Sequence, residues 1–500
     1  LTLRGAEVEV LICDAVLPAC QACEARAWRK IERFARLGPR DGLCGGCFEP
    51  GRRLFEGLGI KVRRLGDSLT AEEVESARRA ALETGLADIE THRLDGVAVG
   101  EHAMAGALRF FARGDLDGEP CAEPVLRRYL EAALLVTYAA RRLFREGGYD
   151  CAAFHHGIYV PQGLVGEAAR REGVRVVNWN PAYRKRCFIF SHGDSYHHTL
   201  LSEPSSAWDR MPWSAALEED LLKYLESRSS GSEDWIWFHR NPCADIAPAA
   251  AGLGLDLSKP FVGLLTNVIW DAQLHYPARA FRSMMDWVRE TIRRFRGRSD
   301  LQLVIRVHPA EVGGTVPSRQ RVADELRRDF PELPGNVFVV PPESDVSTYA
   351  LMSRANAALI YGTKMGVELA ALGLPVIVAG EAWVRNKGFT HDAESAEHYF
   401  RLLDALPFAA RMTPEAMRRA RMYAYHFFFR RMIPIDCMEP TRSDPPYAIR
   451  LTGLDDLLPG RMPGLDVVLD GILHGAPFVY QAEEAANRGR TEAAALARGH

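Results

Sequence analysis

The stretch from 301 to 380 constrains the fold most, because short apolar runs alternate with helical patterns across it. The predicted strands are 301–307, 336–340 and 357–360. A helix is predicted from Met365 to Leu372, closed by Gly373. Strands that alternate with helices indicate a parallel sheet covered by helices. The sequence therefore predicts an α/β fold with a Rossmann-like sheet in this region.

Polar residues follow two of these strands. Because proline cannot donate to a sheet ladder and holds the preceding residue extended, His308 before Pro309 is expected at the carboxyl end of its strand. The third strand leads into Gly362, Thr363 and Lys364, where Thr363 is predicted to cap the helix and the free amides of its first turn favour an anion. Open α/β sheets bind ligands at this edge. The sequence thus predicts the phosphate-binding half of a nucleotide site.

The length of 500 residues exceeds what one hydrophobic core usually organises, so at least two domains are expected. A second strand-turn-helix-strand pattern runs from 149 to 179 around His155-His156-Gly157, and a fresh strand is predicted at 261–265. A helix is predicted from Ala278 to Arg296. The predicted organisation is a Rossmann-like domain over 1–250 with a cysteine-rich insertion at 13–47, a second Rossmann-like domain over 258–410, and C-terminal helices and a tail over 411–500.

Composition excludes several classes of protein. The apolar fraction of 47% with 25% charged residues is ordinary for a globular protein, and a formal charge of −3 gives no basic field for nucleic acid. No apolar run reaches the roughly 18 residues that span a bilayer, and no basic-then-apolar signal opens the sequence. A cytoplasmic protein that does not bind nucleic acid is expected.

Five of the ten cysteines lie within the first 47 residues. Cys20 and Cys23 form one C-x-x-C pair, and Cys44 and Cys47 form another. Such spacing suits four thiolates around a structural zinc ion, and it is also compatible with an iron-sulfur cluster. Reduced thiols without metal are the alternative.

A basic helical stretch from Thr413 to Met432 carries interleaved aromatic residues. Contact with a membrane or with nucleic acid is one interpretation of this pattern. A stripe of aromatic side chains facing the core is the favoured one.

Three segments carry a resemblance to a known family. They are Arg306-Val307-His308-Pro309, the run Tyr361-Gly362-Thr363-Lys364-Met365-Gly366-Val367-Glu368-Leu369-Ala370, and Gly373-Leu374-Pro375-Val376-Ile377. Together they resemble the donor domain of GT-B glycosyltransferases, and more narrowly the bacterial capsule polysaccharide biosynthesis proteins that transfer Kdo and other CMP-sugar transferases with a His-Pro motif. The resemblance covers roughly 260–395 and implies two Rossmann-like domains that face each other across a cleft.

The resemblance also implies roles for residues on the donor side. His308 and Thr363 would contact the nucleotide phosphate, within a site that includes Pro309, Gly362 and Lys364. Breaking a sugar-phosphate bond builds negative charge on the leaving phosphate, which a fixed imidazole and helix-start amides stabilise. The alternative for His308 is that it only caps the turn after its strand.

Two carboxylates complete the implied site. Glu368 would accept hydrogen bonds from the ribose hydroxyls, and Asp271 would be the acidic catalytic residue, acting with His308. The alternatives are that Glu368 pairs with a surface lysine or arginine and that Asp271 caps the following helix. Thr266-Asn267 departs from the family pattern, in which a glutamine is usual at this place.

The predicted function is transfer of a sugar from a nucleotide sugar, with a CMP-linked donor favoured, to a surface polysaccharide or glycoconjugate. A UDP-sugar 2-epimerase, a transferase of polyol phosphate from a CDP-alcohol, and a non-catalytic sugar-nucleotide-binding assembly protein are alternatives. The acceptor, including a lipid-linked glycan, is left open, as are peripheral attachment to the inner membrane and the oligomeric state.

Overall fold

Two β-sheets with flanking helices organise the chain in the computed structural model, which describes residues 1–239, 241–272, 279–443, 445–487 and 490. The strands are β1 Glu9–Ile12, β2 Lys61–Arg64, β3 Cys151–His155, β4 Arg175–Pro181, β5 Cys187–His192, β6 Phe261–Leu265, β7 Gln302–Arg306, β8 Val337–Val340, β9 Ala358–Ile360, β10 Val376–Val378, β11 His391–Asp392, β12 Met432–Pro434, β13 Met438–Pro440 and β14 Tyr447–Ile449. The α-helices are α1 Ile31–Leu37, α2 Gly45–Gly57, α3 Ala71–Glu83, α4 Val99–Phe111, α5 Ala122–Gly147, α6 Gln162–Arg171, α7 Tyr196–Ser202, α8 Ala215–Ser227, α9 Ala247–Leu253, α10 Met284–Phe295, α11 Ala310–Gly313, α12 Val322–Asp329, α13 Thr348–Arg354, α14 Met365–Ala371, α15 Ala396–Asp404, α16 Pro414–Tyr425 and α17 Pro463–His474.

The sheet of the second lobe is parallel throughout, with the order β8-β7-β6-β9-β10-β11. This is the doubly wound order, in which the chain starts in the middle and fills first one side and then the other. Every residue of β6, β7, β9 and β10 is buried, because helices cover both faces of the sheet. The Rossmann-like sheet predicted here is confirmed, and its topological switch point lies between β6 and β9.

The sheet of the first lobe is mixed, with the order β12-β5-β4-β3. β3 and β4 are parallel, as the strand-turn-helix-strand pattern predicted, and α6 connects them. β5 is antiparallel to β4, and β12 is antiparallel to β5. The α/β class is confirmed, but only the β3–β4 pair of this sheet has the parallel arrangement of a Rossmann-like unit.

The chain returns to the first lobe after it completes the second. β12 lies beyond 411 in the sequence, and Ile433 pairs with Phe188 of β5. The region predicted as C-terminal helices and a tail therefore contributes a strand to the first sheet.

The N-terminal region forms a small unit of its own. β1 and β2 pair in parallel as a two-stranded ladder, and the cysteine-bearing segment with α1 and α2 connects them. α3 begins with a capping box: Glu73 N–H donates to the Thr70 hydroxyl oxygen, and the Glu73 carboxylate accepts from Thr70 N–H. The long helices α4 and α5 pack against this unit and supply most of its core.

The aromatic stretch at the end of α16 and in the turn that follows it faces the core, as predicted. Tyr423, Tyr425, Phe427 and Phe428 are all buried. The helix continues as a π-helical turn over 426–431 before β12 begins. No helix in the described part of the chain is both long and apolar enough to cross a membrane.

The helix predicted from Ala278 to Arg296 is shorter in the structure. α10 begins at Met284, because the Ser283 hydroxyl caps it by accepting a hydrogen bond from Asp286 N–H at 3.1 Å. Ala278 lies outside the described residues.

Direct hydrogen bonds join the two lobes at one side. Arg319 N–H donates to the Ala112 carbonyl at 2.9 Å. The Gln320 side-chain oxygen accepts from Gly114 N–H at 2.8 Å, and its amide donates to the Asp115 carboxylate at 2.7 Å. These bonds hold the loop after α4 against the loop before α12.

Candidate active site

The turns after three central strands of the second lobe are hydrogen-bonded to each other. The Thr266 hydroxyl, after β6, accepts from His308 N–H, after β7, at 3.0 Å. The Asn267 side-chain oxygen accepts from Gly362 N–H, after β9, at 3.3 Å. Thr266-Asn267, which departs from the family pattern, thus connects the two predicted phosphate-binding turns at the switch point.

A cleft of about 1530 Å³ opens at this edge and is lined by both lobes. Asp271, His308, Pro309, Gly362, Thr363 and Lys364 all line it. Glu368 does not line it. Ligand pockets usually measure about 300 to 1,000 Å³, so this cleft has room for two substrates side by side.

His308 is held as a neutral imidazole with a defined tautomer. Ala310 N–H donates to His308 Nδ1 at 3.0 Å, so Nδ1 carries no proton and Nε2 does. Burial, with the positive charges of Lys364 and Arg306, lowers the pKa of His308 to about 4. At neutral pH the ring therefore offers an uncharged N–H donor to a ligand in the cleft.

Thr363 lies just before α14 rather than at its cap. Lys364 occupies the N-cap position without a capping side-chain hydrogen bond, and the Thr363 hydroxyl oxygen accepts from Met365 N–H at 3.4 Å. The hydroxyl proton of Thr363 remains to donate. The predicted helix is otherwise confirmed, and Gly373 follows it with a φ of +85°, which favours glycine.

Arg306 places a buried positive charge behind His308. Its guanidinium donates to the carbonyls of Pro341 at 2.5 Å and Ser344 at 3.2 Å and to the Thr348 hydroxyl at 3.3 Å. No carboxylate among the described residues forms an ion pair with it, and burial lowers its pKa to about 10. It stays charged at neutral pH, so it supplies a positive potential that an anionic ligand would neutralise.

Glu368 lies beneath the cleft floor and is fully buried. Lys364 Nζ contacts one of its oxygens at 2.5 Å, Arg228 Nε contacts the other at 3.2 Å, and the Tyr349 hydroxyl donates to it. Burial alone would raise the pKa of Glu368, but Arg228 and Lys364 outweigh burial and hold it at about 2. This is the pairing alternative left open by the sequence, with buried partners, and a ribose could reach this carboxylate only by displacing them.

The same network continues to Asp234. Arg228 Nη1 contacts Asp234 at 2.7 Å and donates to the Tyr224 hydroxyl at 3.0 Å, and Tyr224 in turn donates to Asp234 at 2.8 Å. Arg228 lines the cleft from the first lobe, whereas Glu368 belongs to the second. No sequence pattern indicated a role for Arg228, which directly follows α8 of the first lobe.

Asp271 is open to the cleft and contacts a residue of the first lobe. The Tyr159 hydroxyl donates to Asp271 Oδ1 at 3.0 Å. Although the side chain is exposed to the cleft, the cleft walls around it partly desolvate the carboxylate and so raise the pKa of Asp271, while the Tyr159 hydrogen bond and the charge of Arg109 oppose this. Helix α10 begins far beyond Asp271, at the Ser283 cap, so Asp271 does not cap it.

Three histidines of the first lobe converge on the opposite wall of the cleft. The ring centroids of His155 and His156 lie 5.6 Å apart, and those of His156 and His197 lie 6.1 Å apart. Burial lowers the pKa of each ring, that of His197 to about 3. The His155-His156 turn and the cluster that contains His197 were noted separately in the sequence, and only the fold brings them together.

The predicted four-cysteine metal site stays a prediction, because the described structure does not group its thiols as metal ligands. Cys20 Sγ and Cys23 Sγ are 3.8 Å apart. Burial and the nearby thiols of Cys13, Cys20 and Cys47 raise the pKa of Cys44 to about 11, so the thiols are neighbours. Among the described residues, however, no group of three or more His, Cys, Asp or Glu side chains could hold a metal ion.

Metal analysis tests this outcome. We expect protein purified without chelator to carry less than about half an equivalent of zinc or iron per chain, because among the described residues Cys20 and Cys23 are the one pair of thiols in contact. A full equivalent that disappears in both Cys20→Ser and Cys44→Ser would show instead that these thiols rearrange around a metal.

The chain matches known proteins in part. Residues 256–425 match the family model described as capsule polysaccharide biosynthesis protein. No curated protein matches the chain.

Solved structures give distant likenesses. A beta Kdo 2,4 transferase, KpsC of Thermosulfurimonas dismutans, is 15% identical over 56% of this chain and 79% of its own, with a TM-score of 0.39. The beta Kdo 2,7 transferase of the same KpsC is 12% identical over 62% and 85%, with a TM-score of 0.34. An S. aureus MnaA-UDP structure is 12% identical over 57% and 72%, with a TM-score of 0.28. Because these TM-scores are low, the fold is defined by the observed strand order of the two sheets and not by these likenesses.

The family match confirms the resemblance carried by the His-Pro turn and by the segment from Tyr361 to Ile377. It begins just before β6 and ends with α16, so it includes the whole sheet of the second lobe. The second lobe of this two-lobed α/β fold therefore matches the capsule polysaccharide biosynthesis family model.

Proposed function

We propose that this protein is a glycosyltransferase that moves a sugar from a nucleotide sugar to a surface polysaccharide or glycoconjugate acceptor. The observation that carries the proposal is the convergence of His308, Gly362 and Thr363 at the switch point of a capsule-biosynthesis domain, in a cleft that Asp271 also lines. Ligands of doubly wound sheets bind at this point.

The electrostatics of the cleft suit a nucleotide diphosphate or monophosphate group. The neutral His308 Nε2–H and the Thr363 hydroxyl can donate to phosphate oxygens, and the buried charge of Arg306 lies behind them. These groups are fixed before the ligand arrives, so they stabilise charge that develops on the leaving phosphate without having to reorganise.

Asp271 supplies the second half of the chemistry. Its carboxylate is open to the cleft from the loop after β6, where it could take the proton of an acceptor hydroxyl as that oxygen attacks the anomeric carbon. The three neutral histidines on the opposite wall can donate to and accept from sugar hydroxyls. A sugar acceptor on that side fits this arrangement, and its attachment to a lipid remains outside the proposal.

A CMP-linked donor is the finer form of the proposal, and it is supported by the His-Pro motif. Thermal denaturation with a panel of nucleotides tests it. We expect CMP to stabilise the protein by about 2.7 kcal/mol at a concentration of 100 times its Kd, and UDP and GDP to stabilise it less at the same concentration. In His308→Ala, loss of a hydrogen bond to a charged group weakens binding about 10- to 100-fold, and the same CMP concentration then gives only about 1.4 to 0.4 kcal/mol.

The matched control is His391→Ala, which removes an imidazole from β11 at the edge of the same sheet, outside the residues that line the cleft. This variant should keep the full CMP effect. Tighter binding of UDP than of CMP would redirect the proposal to a UDP-sugar enzyme, and no stabilisation by any nucleotide would contradict it.

A further inference from the structure

Tyr159 of the first lobe contacts the candidate catalytic carboxylate of the second lobe, Asp271. It follows the turn after β3, and Asp271 follows β6, so the two are 112 residues apart in sequence. The Tyr159 hydroxyl lies 3.0 Å from Asp271 Oδ1 and 3.1 Å from the backbone nitrogen of Ala272. One phenol therefore contacts both the side chain of Asp271 and the next peptide group.

The direction of these hydrogen bonds is determined by their donors. The Ala272 N–H can only donate, so the Tyr159 oxygen accepts from it. The phenol proton is then directed to Asp271 Oδ1. Burial, with the charge of Asp271, raises the pKa of Tyr159 well above its usual value, so the phenol stays protonated.

The phenol is held rigidly from several sides. Its side chain is 1% exposed and packs with Ala105 and Ile158. The Arg109 guanidinium lies 5.5 Å from the centre of the Tyr159 ring and is itself fixed by the Gln21 carbonyl. A side chain in this setting cannot turn away from Asp271 without disrupting the wall of the first lobe.

The loop that carries Asp271 depends on this contact. Ala272 has a φ of +52°, a conformation that costs an L-residue free energy and needs support from its surroundings. Its N–H finds that support in Tyr159. Removing the hydroxyl would leave this N–H and one oxygen of the carboxylate without the partner they have now.

We propose that Tyr159 is a positioning residue, whose hydrogen bond from the first lobe aims the Asp271 carboxylate of the second lobe at the reacting atoms. The inference rests on the proposed function, in which Asp271 takes the acceptor proton. Tyr159 itself exchanges no proton in the reaction. Its hydrogen bond stabilises the carboxylate form and opposes the effect of burial.

Tyr159→Phe tests the inference, since it removes one oxygen and leaves the ring. We expect kcat to fall about 10- to 100-fold, which is the effect of losing a hydrogen bond to a charged group, with the KM for the donor unchanged. The acidic limb of the kcat profile should move to higher pH, because a carboxylate without this donor takes up a proton more readily. A purely structural role would change stability but would not move this limb.

Tyr129→Phe is the matched control. Tyr129 is also fully buried in the first lobe, and its hydroxyl donates to the Cys20 carbonyl at 3.1 Å, away from the cleft. Its loss should leave the pH profile unchanged. Replacing Tyr159 by 3-fluorotyrosine is a second test that should leave the fold intact. This residue keeps the hydroxyl and makes it a stronger hydrogen-bond donor, so the acidic limb of the kcat profile should move to lower pH.

The outcomes separate the inference from the function on which it rests. If Asp271→Asn is inactive while Tyr159→Phe and the fluorotyrosine variant both keep the wild-type limb, Tyr159 does not position Asp271. If Asp271→Asn keeps full activity, the proposed function itself is wrong. A CMP-induced thermal shift equal to the wild-type value confirms that each variant is folded.

Discussion

Asp271→Asn is expected to lower turnover of the nucleotide sugar by about 10²- to 10⁴-fold, the usual contribution of a general base. The amide has nearly the same shape and can still lie against Tyr159, but it cannot take a proton from an acceptor hydroxyl. Nucleotide binding should stay close to the wild-type value, because the phosphate-facing donors His308 and Thr363 are unchanged. The measurement is the release of free nucleotide from a nucleotide sugar, whose nucleotide is the one that stabilises the protein most in thermal denaturation.

The pH dependence of turnover is expected to change in a defined direction as well. Burial raises the pKa of Asp271 above its ordinary value. A base must be ionised to act, so wild-type turnover should fall as the pH drops through this raised pKa. In Asp271→Asn the residual rate should no longer follow that limb.

Asp286→Asn is a suitable control, because Asp286 lines the same cleft from the first turn of α10 and is paired with Arg289 at 3.3 Å. Its turnover should stay near the wild-type value. If Asp271→Asn retained full function in cells, the non-catalytic sugar-nucleotide-binding alternative would be favoured over a transferase.

Local patterns were sufficient to predict the second lobe. β6 was predicted at its observed bounds, and β7, β8 and β9 were predicted to within one residue at each end. Each of these strands is a short apolar run ended by Pro, Gly or polar residues, and such signals act over a few residues. The doubly wound order then brings His308 and Gly362 to one edge without further information.

The remainder of the site depends on contacts that no local pattern encodes. Glu368 was expected to face a ribose, but its partner Arg228 arrives from the first lobe and shields it. Tyr159 gave no signal, because its role exists only where the lobes meet. The first sheet also differs from expectation for a long-range reason, since β12 reaches β5 only after the chain has built the whole second lobe.

The cysteine-rich segment at 13–47 shows that a local pattern can also suggest more than the fold provides. Two C-x-x-C pairs satisfy a spacing rule for metal ligation, yet spacing does not determine where the thiols point. In the structure Cys23 is buried against the core, whereas Cys47, near the start of α2, is exposed. A tetrahedral site needs four thiolates around one point, and the fold of this segment does not provide it among the described residues.

Glu368→Gln is expected to destabilise the protein by about 3 to 5 kcal/mol, the usual cost of removing one partner from a buried ion pair. Glu368, Arg228 and Asp234 have fully or almost fully buried side chains, and Lys364 is largely buried. Without the Glu368 charge, Arg228 and Lys364 would face Asp234 as the remaining carboxylate of the network. The measurement is the free energy of unfolding in urea, followed by tryptophan fluorescence.

The pH dependence of stability provides an independent check with a defined sign. The folded pKa of Glu368 is about 2, below its ordinary value of 4.5, so this carboxylate stabilises the folded state above pH 4.5 and loses that effect as the pH falls toward 2. The variant should lack this part of the acid response.

Glu219→Gln is the matched control, since Glu219 pairs with Lys223 at the same four-residue spacing on an exposed face. That change should have no measurable effect, because solvent screens an exposed pair. If the two variants lost the same free energy of unfolding, burial would not be what makes the Glu368 ion pairs important for stability.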